Sequence, residues 1–228
     1  MAIRAVVTDI EGTTTSVSFV YDVLFPYARE HIPAYVRTNA DTLAGLLGDV
    51  RREAGDASLT LEGCIAALLR WMDEDRKVTP LKTLQGMVWK QGYEDGGFRG
   101  HLYPDVAPSL RRWKGQGLSL HVYSSGSVAA QKLLFGHSDA GDLTPLFSGW
   151  FDTLIGGKKE AASYTRIAAA AGMAPRELLF LSDNPEELAA ARAAGLAVIG
   201  LDRPGNTFDL AGWPVTASFE QIDPVAMN

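Results

Sequence analysis

Four short polar stretches each follow an apolar run, and their side chains are the kinds that phosphoryl chemistry uses. They are Asp9-Ile10-Glu11-Gly12-Thr13-Thr14-Thr15, Tyr123-Ser124-Ser125-Gly126-Ser127, Gly156-Gly157-Lys158-Lys159 and Ser182-Asp183-Asn184-Pro185-Glu186-Glu187. Carboxylate oxygens are hard ligands suited to Mg²⁺, which keeps several waters and usually takes one or two carboxylates together with phosphate oxygens. Asp9 and Asp183 are the candidates. The hydroxyls of Ser124 and Ser125, with backbone N–H groups at a helix N-terminus, would donate to phosphate oxygens, and Gly126 would let the backbone approach closely. Lys158 would supply a positive charge that, with the cation, offsets the repulsion between a phosphate dianion and an attacking carboxylate. A polar residue after a strand is commonly only the N-cap of the next helix. The weight therefore rests on the set: a carboxylate pair, a hydroxyl pair, a lysine and a second acidic group, in that order.

The elements that must position these residues can be read from apolar runs. Strand-length runs rich in Val, Ile, Leu and Phe occupy residues 3–8, 118–123, 151–155, 178–182 and 197–201. They are mostly apolar, as expected of parallel strands covered on both faces. Helix-like stretches at Val128 to Leu134, Ala161 to Ala171 and Pro185 to Ala194 lie between the later runs. The expected fold class is α/β, a doubly wound parallel sheet of the Rossmann-like kind, whose ligands gather outside the carboxyl ends of the strands.

Residues 14–100 differ, with amphipathic stretches at about 22–37, 41–53, 60–75 and 80–93 and with Pro26, Pro33 and Pro80 marking starts or bends. This reads as an inserted α-helical cap of 87 residues, leaving 228 − 87 = 141 for the sheet. The glycine-rich segment Glu94-Asp95-Gly96-Gly97-Phe98-Arg99-Gly100 marks the return. The expected division is an α/β phosphohydrolase core of 1–13 and 101–228 and a helical cap of 14–100, with the active site where the two meet. A cap joined by two crossings could close over substrate.

Composition narrows the partners. The 228 residues carry 21 Lys and Arg against 27 Asp and Glu, a net charge of −6, with no basic cluster able to neutralise a nucleic-acid backbone. No nucleic-acid partner is expected. The single cysteine, Cys64, excludes an intrachain disulfide and a Cys-based zinc cluster, and reads as a small buried hydrophobe. No apolar run reaches the roughly 18 residues of a membrane span, and the N-terminus has no leader-like pattern, so the expectation is a cytoplasmic protein with no membrane partner. The four histidines are scattered without metal-ligand spacing. Gly115-Gln116-Gly117 precedes a strand instead of following one, so it is a turn and not a dinucleotide fingerprint.

The four stretches resemble the motifs of the haloacid dehalogenase-like phosphohydrolases, which share this sheet and place a helical cap after the first strand. Glu11 stands where most phosphatases of that superfamily have a second Asp. Together with Phe25-Pro26-Tyr27-Ala28 and Gln131-Lys132-Leu133-Leu134-Phe135-Gly136-His137-Ser138, it makes the chain similar to one branch, the enolase-phosphatases of methionine salvage, or acireductone synthases. The resemblance covers nearly the whole chain. It implies a bifunctional, Mg²⁺-dependent reaction on 2,3-diketo-5-methylthiopentyl-1-phosphate: enolisation, then hydrolysis to the acireductone 1,2-dihydroxy-3-keto-5-methylthiopentene and phosphate.

The resemblance further implies that Asp9 is the nucleophile and a metal ligand, and that Glu11 is the general acid/base. Glu11 would also stand at the metal, through its side chain or its backbone. Asp183 would complete the metal site, Glu187 would support it, and Ser124, Ser125 and Lys158 would hold the phosphate. One Mg²⁺ per subunit, a small-molecule phosphate substrate and a monomer are implied as well. Matching Ile155-Gly156-Gly157-Lys158 and Ser163-Tyr164 to the family pattern favours Lys158 over Lys159 for the phosphate. Two rival readings are a phosphatase for another small phosphate ester, against which Glu11 argues, and a phospho-receiver module, which would carry no 87-residue insertion.

Overall fold

A computed structural model describes residues 2–227 of the chain. Contacts divide the chain into two units, Met1–Phe19 with Arg99–Asn228, and Val20–Phe98.

The first unit is built on six parallel strands in the order β3-β2-β1-β4-β5-β6: β1 Ala5–Thr8, β2 Ser119–Tyr123, β3 Gly149–Phe151, β4 Leu178–Ser182, β5 Ala197–Leu201 and β6 Val215–Thr216. All four residues of β1 and all five of β4 are buried, which accounts for their unbroken apolar character. Their register pairs Thr8 with Val122 on one side and with Leu181 on the other. The chain builds outward from β1 through β2 to β3, then returns to the opposite side of β1 with β4. The order therefore reverses between β1 and β4, and the carboxyl ends of those two strands form the crevice in which open α/β sheets bind ligands. The core around Tyr123, Tyr164, Ile167, Phe180, Leu188 and Ala191 holds the strands against α8 (Ala161–Ala170) and α9 (Pro185–Ala193).

The third strand differs from expectation. The run 151–155 predicts a strand, but β3 ends at Phe151. Asp152 turns the chain: its Oδ1 accepts the Leu154 N–H at 2.9 Å and its Oδ2 accepts the Val128 N–H at 3.1 Å. Leu154 is left 93% exposed. A side-chain turn by one Asp outweighs the apolar residues that follow it. The two-residue β6 is too short to leave a pattern in the sequence.

Thr14 through Phe19, including the single turn α1 (Val17–Phe19), belong with the sheet unit. The Gly12 N–H bonds Thr15 O at 2.8 Å, and the Ser16 N–H donates to His101 Nδ1 at 3.2 Å. The second unit is helical: α2 Phe25–Thr38, α3 Ala44–Ala54, α4 Leu61–Asp73 and α5 Thr79–Glu94. Pro26 and Pro80 sit in first turns, where a missing N–H costs nothing. Gly55 takes φ 70° to close α3, and the Thr60 hydroxyl caps α4 by accepting from the Gly63 N–H. Ile32, Val36, Leu47, Val50, Leu68, Trp71 and Leu84 form this unit's own core. Cys64 lies within it, and burial pushes its thiol pKa up. Among the described residues no helix is long and apolar enough to cross a membrane.

Candidate active site

Asp9 is the first residue beyond β1, and its N–H still bonds Leu181 O on β4 at 2.9 Å. After it the chain coils around a single carbonyl. Ile10 O accepts the N–H groups of Thr13, Thr14 and Thr15 at 3.2, 2.9 and 3.0 Å and the Thr14 hydroxyl at 3.2 Å. So tight a coil needs a residue at positive φ, which Gly12 provides at 70°. Asp183 is the first residue beyond β4, and its N–H donates to Thr13 Oγ1 at 3.1 Å. The sheet register and this hydrogen bond bring together two carboxylates 174 positions apart in sequence.

Lys158 reaches the same place from the loop after β3. Its Nζ lies 2.7 Å from Asp9 Oδ1 and 2.7 Å from Glu187 Oε2, with all three side chains nearly buried. Two tyrosines hold that loop: Tyr123 OH donates to Gly156 O at 2.9 Å, and Tyr164 OH donates to Lys158 O at 2.6 Å. Gly156 takes φ 135°, and a Cβ there would strike Ser163 Oγ, so only glycine fits the bend. Lys159 points elsewhere, pairing with Glu186 on an exposed surface. Glu187 returns to the site because α9 begins at Pro185, capped by Asn184, which puts Glu187 in the first turn where a carboxylate suits the helix dipole. Ser182 Oγ donates to Glu187 Oε2 at 2.9 Å.

Of the residues expected from the sequence, Asp9, Lys158 and Glu187 are thus directly joined, and Asp183 stands beside them. Ser124 is buried at the end of β2, where its N–H bonds Phe151 O and its Oγ accepts the Gly126 N–H at 3.2 Å. Ser125 is exposed on the same edge. No hydrogen bond among the described residues links either serine to Asp9 or Lys158. A Cβ at Gly126 would meet Ser124 Oγ at 3.7 Å, an ordinary contact, so the chain's own packing does not demand glycine there. Glu11 is half-buried in the coil, paired through its backbone with Thr15. Sequence reasoning missed the supporting roles of Thr13, Tyr123, Tyr164 and Ser182. Thr13, Tyr123 and Ser182 lie within the four polar stretches and Tyr164 within Ser163-Tyr164, but nothing in the sequence marks what their hydroxyls hold.

Three carboxylates face one ammonium here, leaving two formal negative charges uncompensated when all are ionised. Burial, then the nearby charges of Asp9 and Glu187, push Asp183 up from 3.8 to about 7. Burial and Asp9 likewise raise Glu187, against the pull of Lys158 and Ser182. Lys158 is held firmly protonated, because attraction to Asp9 and Glu187 outweighs the cost of its burial. A divalent cation would balance such a donor set. No group of three or more His, Cys, Asp or Glu side chains among the described residues is arranged to hold a metal. Mg²⁺ does not require one, since one or two carboxylates with waters and phosphate oxygens complete its shell. The Asp9 and Asp183 pair fits that ion.

A model of the haloacid dehalogenase-like hydrolases matches residues 3–195. The chain is 58% identical over 228 residues to the protein named enolase-phosphatase E1 of Azotobacter vinelandii, covering 99% of this chain and 100% of that one. It is also 58% identical over 224 residues to the protein of the same name from Pseudomonas aeruginosa strain UCBPP-PA14, covering 97% and 99%. Among solved structures, the UTR4 protein of Saccharomyces cerevisiae superposes with a TM-score of 0.85 at 35% identity, covering 96% of this chain and 100% of that one. CbbY from Rhodobacter sphaeroides in complex with phosphate shares the fold, with a TM-score of 0.61 at 19% identity over 96% of each chain. By these matches the chain belongs to the haloacid dehalogenase-like hydrolases and, within them, to the enolase-phosphatase family.

Proposed function

We propose that the protein is an Mg²⁺-dependent enolase-phosphatase of methionine salvage, acting on 2,3-diketo-5-methylthiopentyl-1-phosphate, with Asp9 as nucleophile. The observation that carries this reading is the 2.7 Å contact between Lys158 Nζ and Asp9 Oδ1 at the point where the strand order reverses. Asp9 and Asp183 would hold Mg²⁺, with Glu11 contributing through its side chain or backbone. The ion would supply positive charge against the phosphoryl and keto oxygens as negative charge develops there.

The remaining chemistry falls to the chain. Lys158 orients Asp9. Two of its three N–H groups meet Asp9 and Glu187, and the third suits a phosphoryl oxygen. Ser124, whose Oγ accepts from Gly126 N–H, retains its own O–H for a phosphate oxygen, and Ser125 adds a second hydroxyl. For enolisation, Glu11 takes a proton from the carbon beside the carbonyl and returns it to oxygen. For hydrolysis, Glu11 first takes up a proton from solvent; an Asp9 oxygen then attacks phosphorus as the ester P–O bond breaks, and Glu11 gives that proton to the leaving oxygen. Glu11 then removes a proton from water, which attacks the aspartyl-phosphate, regenerating Asp9 and releasing phosphate. The helical unit would serve as the cap, and the working form would be a cytoplasmic monomer.

Stopped-flow mixing of the protein with the diketo phosphate and Mg²⁺ tests this reading. An enol absorbance that rises and then decays as phosphate appears is expected, with both signals lost in EDTA. Phosphate release without an enol transient would instead indicate a phosphatase for another ester.

A further inference from the structure

Arg203, two residues beyond β5, is nearly buried, its side chain 4% exposed, and it spends its donors on three segments at once. Its Nη1 and Nη2 grip Asp105 Oδ1 and Oδ2 at 3.0 and 2.9 Å, Nη1 also reaches Ala217 O at 2.8 Å, and Nε donates to Thr13 O at 3.0 Å. The guanidinium lies over the rings of Tyr103 at 4.4 Å and Phe219 at 5.2 Å. Asp105 is fixed in turn by the Phe219 N–H at 2.7 Å. The residue so gripped, Thr13, is the one whose hydroxyl accepts the Asp183 N–H, and the neighbouring Thr14 O accepts the Tyr103 N–H at 3.0 Å.

A buried ion pair contributes little net stability, because desolvation offsets the attraction, so stability alone does not account for this one. Here the pair meets the candidate site through Thr13. We infer that Arg203, oriented by Asp105, is a positioning residue that fixes the coil after β1 against Asp183 and so sets the spacing of the two carboxylates that would hold Mg²⁺. This rests on the Mg²⁺ reading above. Lysine could keep the charge opposite Asp105, but it lacks the planar fork that serves Asp105, Ala217 and Thr13 together.

The test is calorimetric titration of Mg²⁺ alone into the full chain, without substrate, for the parent, Arg203→Lys and Asp105→Asn. Leu110→Ala, a fully buried site on α6 (Val106–Gly115), serves as a control for general destabilisation. Melting temperatures are recorded in parallel. Arg203→Lys and Asp105→Asn are expected to raise the Mg²⁺ Kd by about tenfold or more, as loss of groups that orient metal ligands does. Leu110→Ala is expected to melt earlier with an unchanged Kd. Parent-like Kd values in both variants, or an equal rise in Leu110→Ala, would overturn the inference. Loss of folding in both variants would make the pair a stability element and overturn it too. Absence of Mg²⁺ binding by the parent would instead overturn the functional reading, and this inference with it.

Discussion

The carboxylate of Asp183 lies directly over Gly12: a Cβ built on Gly12 would stand 2.6 Å from Asp183 Cγ and closer still to Oδ2. The backbone at Gly12 is also left-handed, at φ 70°. Gly12→Ala therefore faces a left-handed penalty of about 1 kcal/mol and, in addition, must displace Asp183. The variant is expected to melt lower than the parent and to lose phosphate release by about a hundredfold. Thermal melting and a phosphate assay check both; a parent-like rate would show that Asp183 need not stay where Gly12 lets it lie.

Lys158 is the ammonium that meets these carboxylates, and its removal leaves Asp9 and Glu187 buried without its charge. Lys158→Ala is expected to destabilise the fold by about 3–5 kcal/mol and to abolish turnover. Lys159→Ala removes only an exposed pair with Glu186 and should cost under about 1 kcal/mol, with normal turnover. Urea denaturation and phosphate release on both variants decide between the two lysines, and unimpaired turnover in Lys158→Ala would reverse the assignment.

Glu11 is one methylene longer than an aspartate would be, and that reach is proposed to let one carboxyl serve both carbon and the ester oxygen. Glu11→Asp should uncouple the two reactions, slowing enolisation by roughly tenfold or more, within the range of general acid–base effects. Stopped-flow absorbance read beside phosphate release measures each step. Normal rates for both would remove chain length from the explanation.

His121 on β2 is buried, and neither ring nitrogen has a hydrogen-bond partner among the described residues. Burial, with a smaller push from Lys114, lowers its pKa from 6.5 to about 4. The unfolded chain therefore binds this proton more readily than the folded one. Stability is fully present above pH 6.5 and falls with pH towards 4, by up to about 3 kcal/mol from this residue. Urea midpoints at about pH 7 and about pH 4.5 should differ less in His121→Leu than in the parent. Equal differences would exclude His121 as a source of acid lability.

Much of this architecture is legible in the residue pattern, and the exceptions have physical causes. β1 and β4 read clearly because both faces are covered, so their apolar runs are unbroken, and the acidic residues that end them stand out. The third strand misled because Asp152, a turn-former, lies inside an apolar run whose Leu154 is exposed. The union of Lys158 with Asp9 and Glu187 depends on a bend at Gly156 and on two tyrosine hydroxyls, none of which has a periodic signature. Arg203 and Asp105 are 98 residues apart, and each alone resembles an ordinary surface charge. Only folding reveals that they are buried together.

The most direct measurement compares Asp9→Asn with the parent, following phosphate release and enol absorbance from the diketo phosphate in Mg²⁺. The substituted amide would keep the shape of the side chain but lack the nucleophilic carboxylate, so phosphate release is expected to vanish while the parent turns over repeatedly. Full retention of phosphate release by Asp9→Asn would contradict Asp9 as the nucleophile.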